Sequence, residues 1–596
     1  MNATYFLVTL GPVQEFIAQA RRTRDLWFGS HLLGELSRAA ARAVADAGGE
    51  LIFPALEKGH PELEPADGPF RPGGAPALSI ANRIVAVLPD GCDPSALAKE
   101  CRKAVTKRLE DVAARVEKRC ADLLAPESAE IWREQLDTLV EFLAAWAPVG
   151  DAPDGYRQAR EHVERRLAGR KGLRDFASWS RQGAGRLKSS LDGGRSTVLE
   201  KPDQRPAELV RRFRINAGEQ LDAIGLLKRA GGEPEHFVPL ANVALGPWIS
   251  KAAEAAPAAF QAVRTACGGG VFTQIGSALA AVKAFPFDAQ VFLPDRWKSL
   301  LSEIGLPREW GETHVQPLLA MMKTPSPYLA CLVADGDKMG AAISELSDPE
   351  RHRDLSRQLA LFATKAREIV AEWDGILVYA GGDDVLAFLP LHSAAPCAER
   401  LHKAFAEMMA PLGLSRAPTL SVGLGIGHLL VPMGELLALG RRAERLAKDS
   451  GRNRLAVVAD KRSGGEVQWS RGWHDDPSGL LAAAKTALAG DLSHKKVYEI
   501  ARAISRMPEP AELSSGNEAS WCDVLLGETR RILARTEARG VLEPAQVGLD
   551  LSGASYSEYR QRIDDWVSLM MIARLIAHAE ASAEPRAGSE KELVDA

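Results

Sequence analysis

The sequence predicts an α+β multidomain protein, and three observations carry that prediction. Its 596 residues are too many for one hydrophobic core, so roughly three to five domains are expected. Short apolar runs suited to buried strands fall in two groups, near residues 5–88 and 328–459, each interleaved with helical periodicity. The intervals between and after these groups read as helical. The composition, 46% hydrophobic and 26% charged, is that of a globular protein. A net charge of −4 gives no general sign of nucleic-acid binding and leaves local basic patches open. No apolar stretch approaches the roughly 20 residues that span a bilayer, and Met1-Asn-Ala-Thr-Tyr-Phe-Leu-Val lacks the pattern of a signal peptide. The seven cysteines include no C-x-x-C pair, which argues against a zinc ribbon or a disulfide framework. A cytoplasmic protein with no membrane partner is expected.

Taken in order, Tyr5 to Leu10 is a strand ending in Gly11-Pro12, and a helix starts at Val13, with Phe16, Ile17 and Ala20 at helical spacing. Arg21, Arg22 and Arg24 follow, then Trp27-Phe-Gly-Ser30 and a second helical run through about Ala45. Leu51-Ile-Phe53 and Ile84-Val-Ala-Val-Leu88 are further strands. From about Pro94 to Arg170 the pattern predicts helix, with Trp132, Leu136, Leu139, Phe142 and Leu143 on one apolar face. Residues 171–210 are rich in Gly, Ser, Lys and Arg, and read either as solvated basic loop or as a contact with a nucleic-acid backbone. Helices dominate from there to about Leu319.

Pro325-Ser-Pro327 marks a linker. Beyond it, Tyr328 to Ala334 is a buried strand that runs into Asp335-Gly-Asp-Lys-Met-Gly340 and a helix start. A helix over about 352–373 leads to two apolar runs flanking Gly381-Gly382-Asp383-Asp384, a β-hairpin whose turn carries two adjacent carboxylates. A helix near 395–410, a strand at 420–427, a helix near 432–449 and a strand at 455–459 complete β-α-β-β-α-β-α-β. That is a ferredoxin-like core with one added helix and strand. The remainder reads helical, with an acidic tail from Arg586 to Ala596.

A bare Gly-Gly-Asp-Asp is equally an ordinary acidic turn. In a ferredoxin-like sheet, however, the first strand lies beside the hairpin, so Asp335 and Asp337 come next to Asp383 and Asp384. Converging carboxylates repel unless cations sit among them, and oxygen-rich clusters of this kind suit Mg²⁺ or Mn²⁺ in phosphoryl transfer. Gly336 and Gly340 leave room for a triphosphate at the helix start, and Gly381 and Gly382 allow the tight turn. Lys448 and Arg452, at the end of the 432–449 helix with Gly451 as its C-cap, are placed either to complement the helix dipole or to reach polyphosphate oxygens.

The set Val333-Ala-Asp-Gly-Asp-Lys-Met-Gly340, Gly381-Gly-Asp-Asp384, Leu420-Ser-Val-Gly423 and Ala447-Lys-Asp-Ser-Gly-Arg-Asn453 resembles the palm domain of the large signature subunit of type III CRISPR effector complexes. More distantly it is similar to nucleotide cyclases with a GG(D/E)EF turn. Leu10-Gly-Pro-Val-Gln-Glu-Phe-Ile17, Asp25-Leu-Trp-Phe-Gly-Ser30, Ala81-Asn-Arg83, Arg170-Lys-Gly-Leu-Arg-Asp-Phe176 and Gly218-Glu-Gln-Leu-Asp-Ala-Ile-Gly-Leu-Leu-Lys-Arg229 look like the Cmr (type III-B) branch.

The resemblance implies two facing palm domains of nucleotide cyclase/polymerase type, over residues 1–175 and 325–465. A basic, mostly helical linking domain would occupy 176–324 and a C-terminal helical domain 466–596. The second palm would join ATP into cyclic oligoadenylates. Asp335, Asp383 and Asp384 would be the metal-binding and catalytic set, and Gly336, Asp337, Gly340, Gly381, Gly382, Lys448 and Arg452 would border the nucleotide. Gly29 and Ser30 would border a second ATP in the first palm, where Leu10-Gly-Pro-Val-Gln14 has no acids. Partners would be other Cmr subunits, the guide CRISPR RNA and a target RNA that switches synthesis on. With the first palm starting near residue 4, no HD nuclease domain is expected, and His474-Asp475 reads as a chance dipeptide. Cys267 is alone between about 180 and 320, so a structural zinc there is not supported. Two other readings stay open: a scaffold subunit with weak or no catalysis, and a diguanylate cyclase-like enzyme using GTP.

Overall fold

Strand β1 (Thr4–Gly11) is buried over nearly all its length because both of its faces are covered. Phe6, Val8 and Leu10 pack toward helices Thr23–Asp46 and Pro94–Arg119. Tyr5 and Leu7 pack toward helix Gly155–Gly172, against Tyr156, Val163 and Leu167. With β2 (Glu50–Phe53), β3 (Arg83–Leu88) and β4 (Glu141–Pro148) it forms a sheet ordered β2-β3-β1-β4. β1 is antiparallel to both β3 and β4. With helices between β1 and β2 and again between β3 and β4, this is the ferredoxin-like β-α-β-β-α-β order. The computed structural model describes residues 3–66, 68, 80–173, 186–233, 237–270, 272–462, 465–490, 492–513, 517–534, 542–553 and 555–586.

β4 corrects the helical reading of Pro94–Arg170. Trp132 and Leu136 do lie on a helix, Ala129–Asp137, but Phe142 and Leu143 belong to the strand. The segment Glu-Phe-Leu-Ala-Ala-Trp-Ala is built mostly of good helix formers. Pairing along the whole open edge of β1, from Thr4↔Pro148 to Gly11↔Glu141, outweighs that local preference. The basic stretch at 171–210 is described in part. Residues 174–185, which include Arg174 to Phe176, lie outside the described residues, as does the acidic tail beyond Arg586.

The second sheet has six strands ordered β10-β9-β8-β5-β7-β6: β5 (Tyr328–Asp337), β6 (Ile376–Gly381), β7 (Asp384–Pro390), β8 (Thr419–His428), β9 (Arg454–Ala459) and β10 (Val467–Gly472). The first five are the strands expected from sequence. β10 is an added edge, antiparallel to β9, that buries Val467 and Trp469 on one face. Helices Pro349–Glu372 and Leu391–Met409 cover one face of the sheet, where Ala330, Leu332, Ala334, Val422 and Leu424 meet Phe362, Ile369, Leu401 and Phe405. The C-terminal helix Tyr556–Ala581 joins this core through Trp566 and Ile572. In the chain segment that links the two sheets, short helices gather around Trp248, Phe260, Phe285, Phe292 and Trp297. Among the described residues, no helix is long and apolar enough to cross a membrane.

The two sheet regions touch directly. Arg353, on helix Pro349–Glu372, donates to the Leu51 carbonyl at 2.8 Å and pairs with Glu50 and Glu57. Arg160 donates to the carbonyls of Ile343 (2.6 Å) and Leu346 (3.2 Å), at the C-terminal end of helix Met339–Glu345. The Tyr156 hydroxyl lies 2.8 Å from His352 Nδ1. Burial, with the charges of Arg160 and Arg83 added, lowers the pKa of His352 from 6.5 to about 4. The native state therefore holds the neutral ring, whereas the unfolded chain takes up a proton first. This contribution is complete above about pH 6.5 and is lost as pH falls toward 4, at a cost of roughly 2–3 kcal/mol. His352→Gln should flatten the acid limb of a melting-temperature profile between those values. His31, also lowered to about 4 by burial, keeps part of the slope in the variant. An unchanged acid limb would show that His352 stays uncharged for another reason.

Candidate active site between the two sheets

The acidic turn is built by glycines. Gly381 pairs with Asp384 to close a two-residue hairpin turn, and Gly382 takes φ +71°, which a side chain would strain. A Cβ at Gly381 would stand 2.1 Å from the Tyr379 hydroxyl. On the neighbouring strand, Ala334 faces Val385, so one further step of the register sets Asp335 opposite Asp384 and Gly336 opposite Asp383. Gly336 has no side chain to block that approach: a Cβ there would meet Asp383 Oδ2 at 2.7 Å. Thus the two stretches picked out in the sequence, some 45 residues apart, meet at one sheet end.

The third element arrives through a stripe of glycines on β8. Leu420, Val422, Leu424 and Ile426 point into the core, while Ser421, Gly423, Gly425 and Gly427 line the opposite face. Helix Met433–Asp449 lies directly on that bare face. A Cβ on Gly423 would be 2.1 Å from the Glu444 backbone nitrogen, and one on Gly425 would be 2.2 Å from that of Gly440. Gly423→Ala should therefore cost about 1–3 kcal/mol through overpacking against backbone, read as a lower denaturation midpoint. A neutral outcome would mean that the helix can lift off the sheet.

This close seating brings Lys448 and Glu444 to the acids. Lys448 Nζ pairs with Asp335 Oδ2 and lies 2.9 Å from Glu444 Oε1. The helix ends in a Schellman arrangement: Gly451 N–H donates to the Lys448 carbonyl and Arg452 N–H to that of Ala447. Arg452 itself is exposed. Burial, then the nearby Arg452, lowers the pKa of Lys448.

Among the described residues, no lysine or arginine forms such a pair with the turn acids. Burial raises Asp383 to about 6, partly opposed by hydrogen bonds from its own and the Gly336 backbone N–H groups. Asp384 is open to solvent on one side, yet the protein packed around it raises it to about 7, with the charges of Asp383 and Glu444 adding to the effect. Carboxyls that hold protons so far above the ordinary range carry unbalanced negative charge.

Asp337 takes a different position from its three companions. It is buried and accepts hydrogen bonds from Thr419 Oγ1 (2.7 Å), Ser421 Oγ (2.8 Å) and Asn453 N–H (3.0 Å). Its oxygens are committed to fastening β8 and the loop after helix Met433–Asp449 onto β5. Among the described residues, no three His, Cys, Asp or Glu side chains stand as a ready metal-binding group. The oxygen-only set of Asp335, Asp383 and Asp384 nevertheless fits a hard divalent cation, because its charge is unbalanced except where Lys448 covers Asp335.

Asp383 and Asp384 open onto a cavity of about 670 Å³ between the two sheets. Gly340, Gly381 and Gly382 line the second-sheet side, and Phe53, Asn82, Arg83 and Arg165 line the other. The Ala81-Asn-Arg83 motif is thus a wall of the same space. Helix Met339–Glu345, with seven residues, presents Gly340 at the rim. Gly29 and Ser30 are not at this cavity: Gly29 packs on Phe16 and Lys228, and Ser30 is buried within its helix. They are consumed in joining helix Thr23–Asp46 to the linking region. Glu444 is the site residue that the sequence reading passed over, although its place four residues before Lys448 on one helix face signals it. His474, 77% exposed beside Asp475, sits in a turn as expected.

Fold and site together define a two-palm protein: in one palm acids end the central strand, whereas the matching Leu10-Gly-Pro12 end of β1 carries none in the strand itself and faces Glu141 of β4. Two family models match parts of the chain: residues 328–456 match the Cas10/Cmr2 second palm domain, and residues 5–114 match the N-terminal domain of CRISPR-associated protein Cmr2. A curated relative, the CRISPR system Cmr subunit Cmr2 of Pyrococcus furiosus, is 29% identical over 221 residues. That alignment spans 31% of this chain and 25% of the relative. Among solved structures, a chain of the type III-B Cmr-beta complex in its apo state aligns at 13% identity with a TM-score of 0.64. The match covers 97% of this chain and 82% of that one. A chain of the same complex bound to cognate target RNA gives 13% identity and a TM-score of 0.62, over 97% and 83%. At this identity the likeness is one of fold.

Proposed function

We propose that the protein is the large subunit of a type III-B RNA-guided effector complex, acting in the cytoplasm with other Cmr subunits, a guide CRISPR RNA and a target RNA. Its reaction is the synthesis of cyclic oligoadenylates from ATP, activated by target RNA. The observation that carries this reading is the pair Asp383 and Asp384, raised in pKa, facing Gly336 and Asp335 across the sheet end, and opening onto a cavity between two palms. Asp335, Asp383 and Asp384 would hold Mg²⁺ or Mn²⁺. When bound, a divalent cation supplies charge stabilisation at the phosphoryl group and lowers the pKa of an attacking hydroxyl.

The chain's own groups do the positioning. One ATP presents its 3′-hydroxyl and the other its α-phosphate; the oxygen–phosphorus bond forms as the bond to the β-phosphate breaks, and pyrophosphate leaves. Asp384 accepts a hydrogen bond from the 3′-hydroxyl, aims its oxygen and takes its proton as the new bond forms. Lys448 exchanges Asp335 for phosphate oxygens, so the pairing seen here is the resting arrangement. The walls formed by Phe53, Asn82 and Arg83 enclose the nucleotide from the first palm and limit water.

The test is product analysis by mass after the assembled complex, guide RNA and matching target RNA are given Mg²⁺ or Mn²⁺ with each nucleoside triphosphate. Cyclic adenylates that vanish in Asp383→Asn/Asp384→Asn support the proposal. A second reading, that the palm is kept as a scaffold, draws on the Lys448–Asp335 pair that closes the resting site, and predicts no turnover at all. Products formed from GTP without RNA would instead indicate a free-standing cyclase.

A further inference from the structure

A second cavity, of about 270 Å³, lies where helix Thr23–Asp46 begins, the linking region passes and the turn after β8 arrives. Five arginines line it: Arg21, Arg22, Arg24, Arg214 and Arg296. Three acids share the wall, but two of them are already engaged. Asp288 pairs with Arg214, while Glu219 lies 2.9 Å from the fully buried Arg229 behind the wall. Glu303 is divided between Arg22 at 3.4 Å and Arg214 at 3.6 Å. Arg21 reaches Glu219 at 3.8 Å, so Arg24 and Arg296 are the wall arginines left without an ion pair among the described residues.

Arg24 is the telling residue. It is only 6% exposed, yet among the described residues its guanidinium makes one hydrogen bond, to the Arg212 carbonyl at 3.2 Å, and lies over the Phe237 ring. Among the described residues, no carboxylate stands within ion-pair distance of it. Arg296 donates to Gln290, a neutral partner, at 3.1 Å. Burying a guanidinium without a counter-charge is costly, and it is tolerated where a ligand supplies the anion. The strain is visible in the proton affinities: burial, then neighbouring arginines, lowers Arg24 to about 9 and Arg22 to about 10.

We propose that this cavity is a metal-independent binding site for a phosphate chain, separate from the acidic site and not dependent on the function assigned to it. Planar guanidinium groups match phosphate oxygens in bidentate fashion, and several converging on one pocket select a polyanion over a single carboxylate. The volume suits a di- or triphosphate group rather than a whole nucleotide, so any attached nucleoside projects outward. Leu429, Leu430 and Met433 of the second palm form one wall, so an occupied cavity bridges both palms and the linking region.

The test is isothermal titration of the full chain with inorganic triphosphate in the presence of EDTA, which silences any metal-dependent site. Saturable binding is expected, weakened at least tenfold by Arg296→Gln and by Arg24→Gln, and unchanged in Asp383→Asn/Asp384→Asn. Arg296 is partly exposed, so its variant keeps the test valid if Arg24→Gln does not fold. ATP should compete with inorganic triphosphate, which would identify a nucleotide as one source of the chain. No binding in EDTA, binding indifferent to Arg296→Gln, or binding of a short RNA but not of triphosphate would each overturn the proposal.

Discussion

Replacing both turn acids, Asp383→Asn/Asp384→Asn, is expected to abolish the proposed synthesis and at the same time to stabilise the metal-free protein. The loss of activity should be at least about a thousandfold, the scale reached when groups that organise charge in a transition state are removed. The gain in stability follows from the raised proton affinities. A carboxyl whose folded pKa lies above its unfolded value favours folding only while protonated. Between about pH 4 and the folded values of about 6 and 7, the native state therefore holds protons that the unfolded chain has released. Native stability falls as pH rises through that window, and the ionised pair carries its full penalty above it. The asparagines carry none. After allowance for solvent at Asp384, the variant should be more stable by roughly 1–3 kcal/mol near pH 8 in EDTA. The advantage should shrink as pH approaches 4. Added Mg²⁺ or Mn²⁺ should raise the melting temperature of the native protein alone. Equal stability of both proteins near pH 8 would show that the turn carries no unbalanced charge.

Arg229→Met should be among the most damaging single changes to the fold. Arg229 is fully buried and pairs with Asp25 at 2.7 Å and Glu219 at 2.9 Å, both also buried. Burial works against the charge on Arg229, yet the two carboxylates hold it protonated well above its ordinary range. Asp25 also accepts the backbone N–H groups of Arg21 and Arg22, fixing the start of helix Thr23–Asp46. Removing the arginine strands two carboxylates in the interior, a loss of about 3–5 kcal/mol. Making them neutral as well, in Arg229→Met/Asp25→Asn/Glu219→Gln, should restore most of it. Chemical denaturation distinguishes the two variants; a loss below about 1 kcal/mol for the single change would mean that water reaches the carboxylates.

The second palm was legible because its chemistry is written at strand ends. Apolar runs that stop at Asp335 and resume after Asp384 mark one sheet edge, and the glycines beside them say that something must approach closely. Asp337 was less legible: alternation along β8 puts Ser421 on the glycine face, but only the register Asp335↔Ser421 shows that this hydroxyl reaches Asp337 and takes it out of the cluster. β4 was hidden because its Ala, Leu and Glu residues suit a helix, and the edge of β1 that recruits it lies more than a hundred residues away. The arginine-lined cavity was invisible for a related reason. Arg21, Arg22 and Arg24 stood out in sequence, but Arg214 and Arg296 join them only through the packing of the linking helices.

The glycine stripe of β8 has a bearing on how finely the acidic site is set. Where side chains separate a helix from a sheet, the gap adjusts as rotamers change, and a residue carried on the helix inherits that play. Here the helix bearing Glu444 and Lys448 rests on strand backbone, with space for a hydrogen atom but not for a methyl group. Its standoff works like a gauge block, machined to one dimension. In the proposed reaction, Lys448 would trade Asp335 for a phosphate by swinging its own side chain, with no adjustment of the scaffold that carries it.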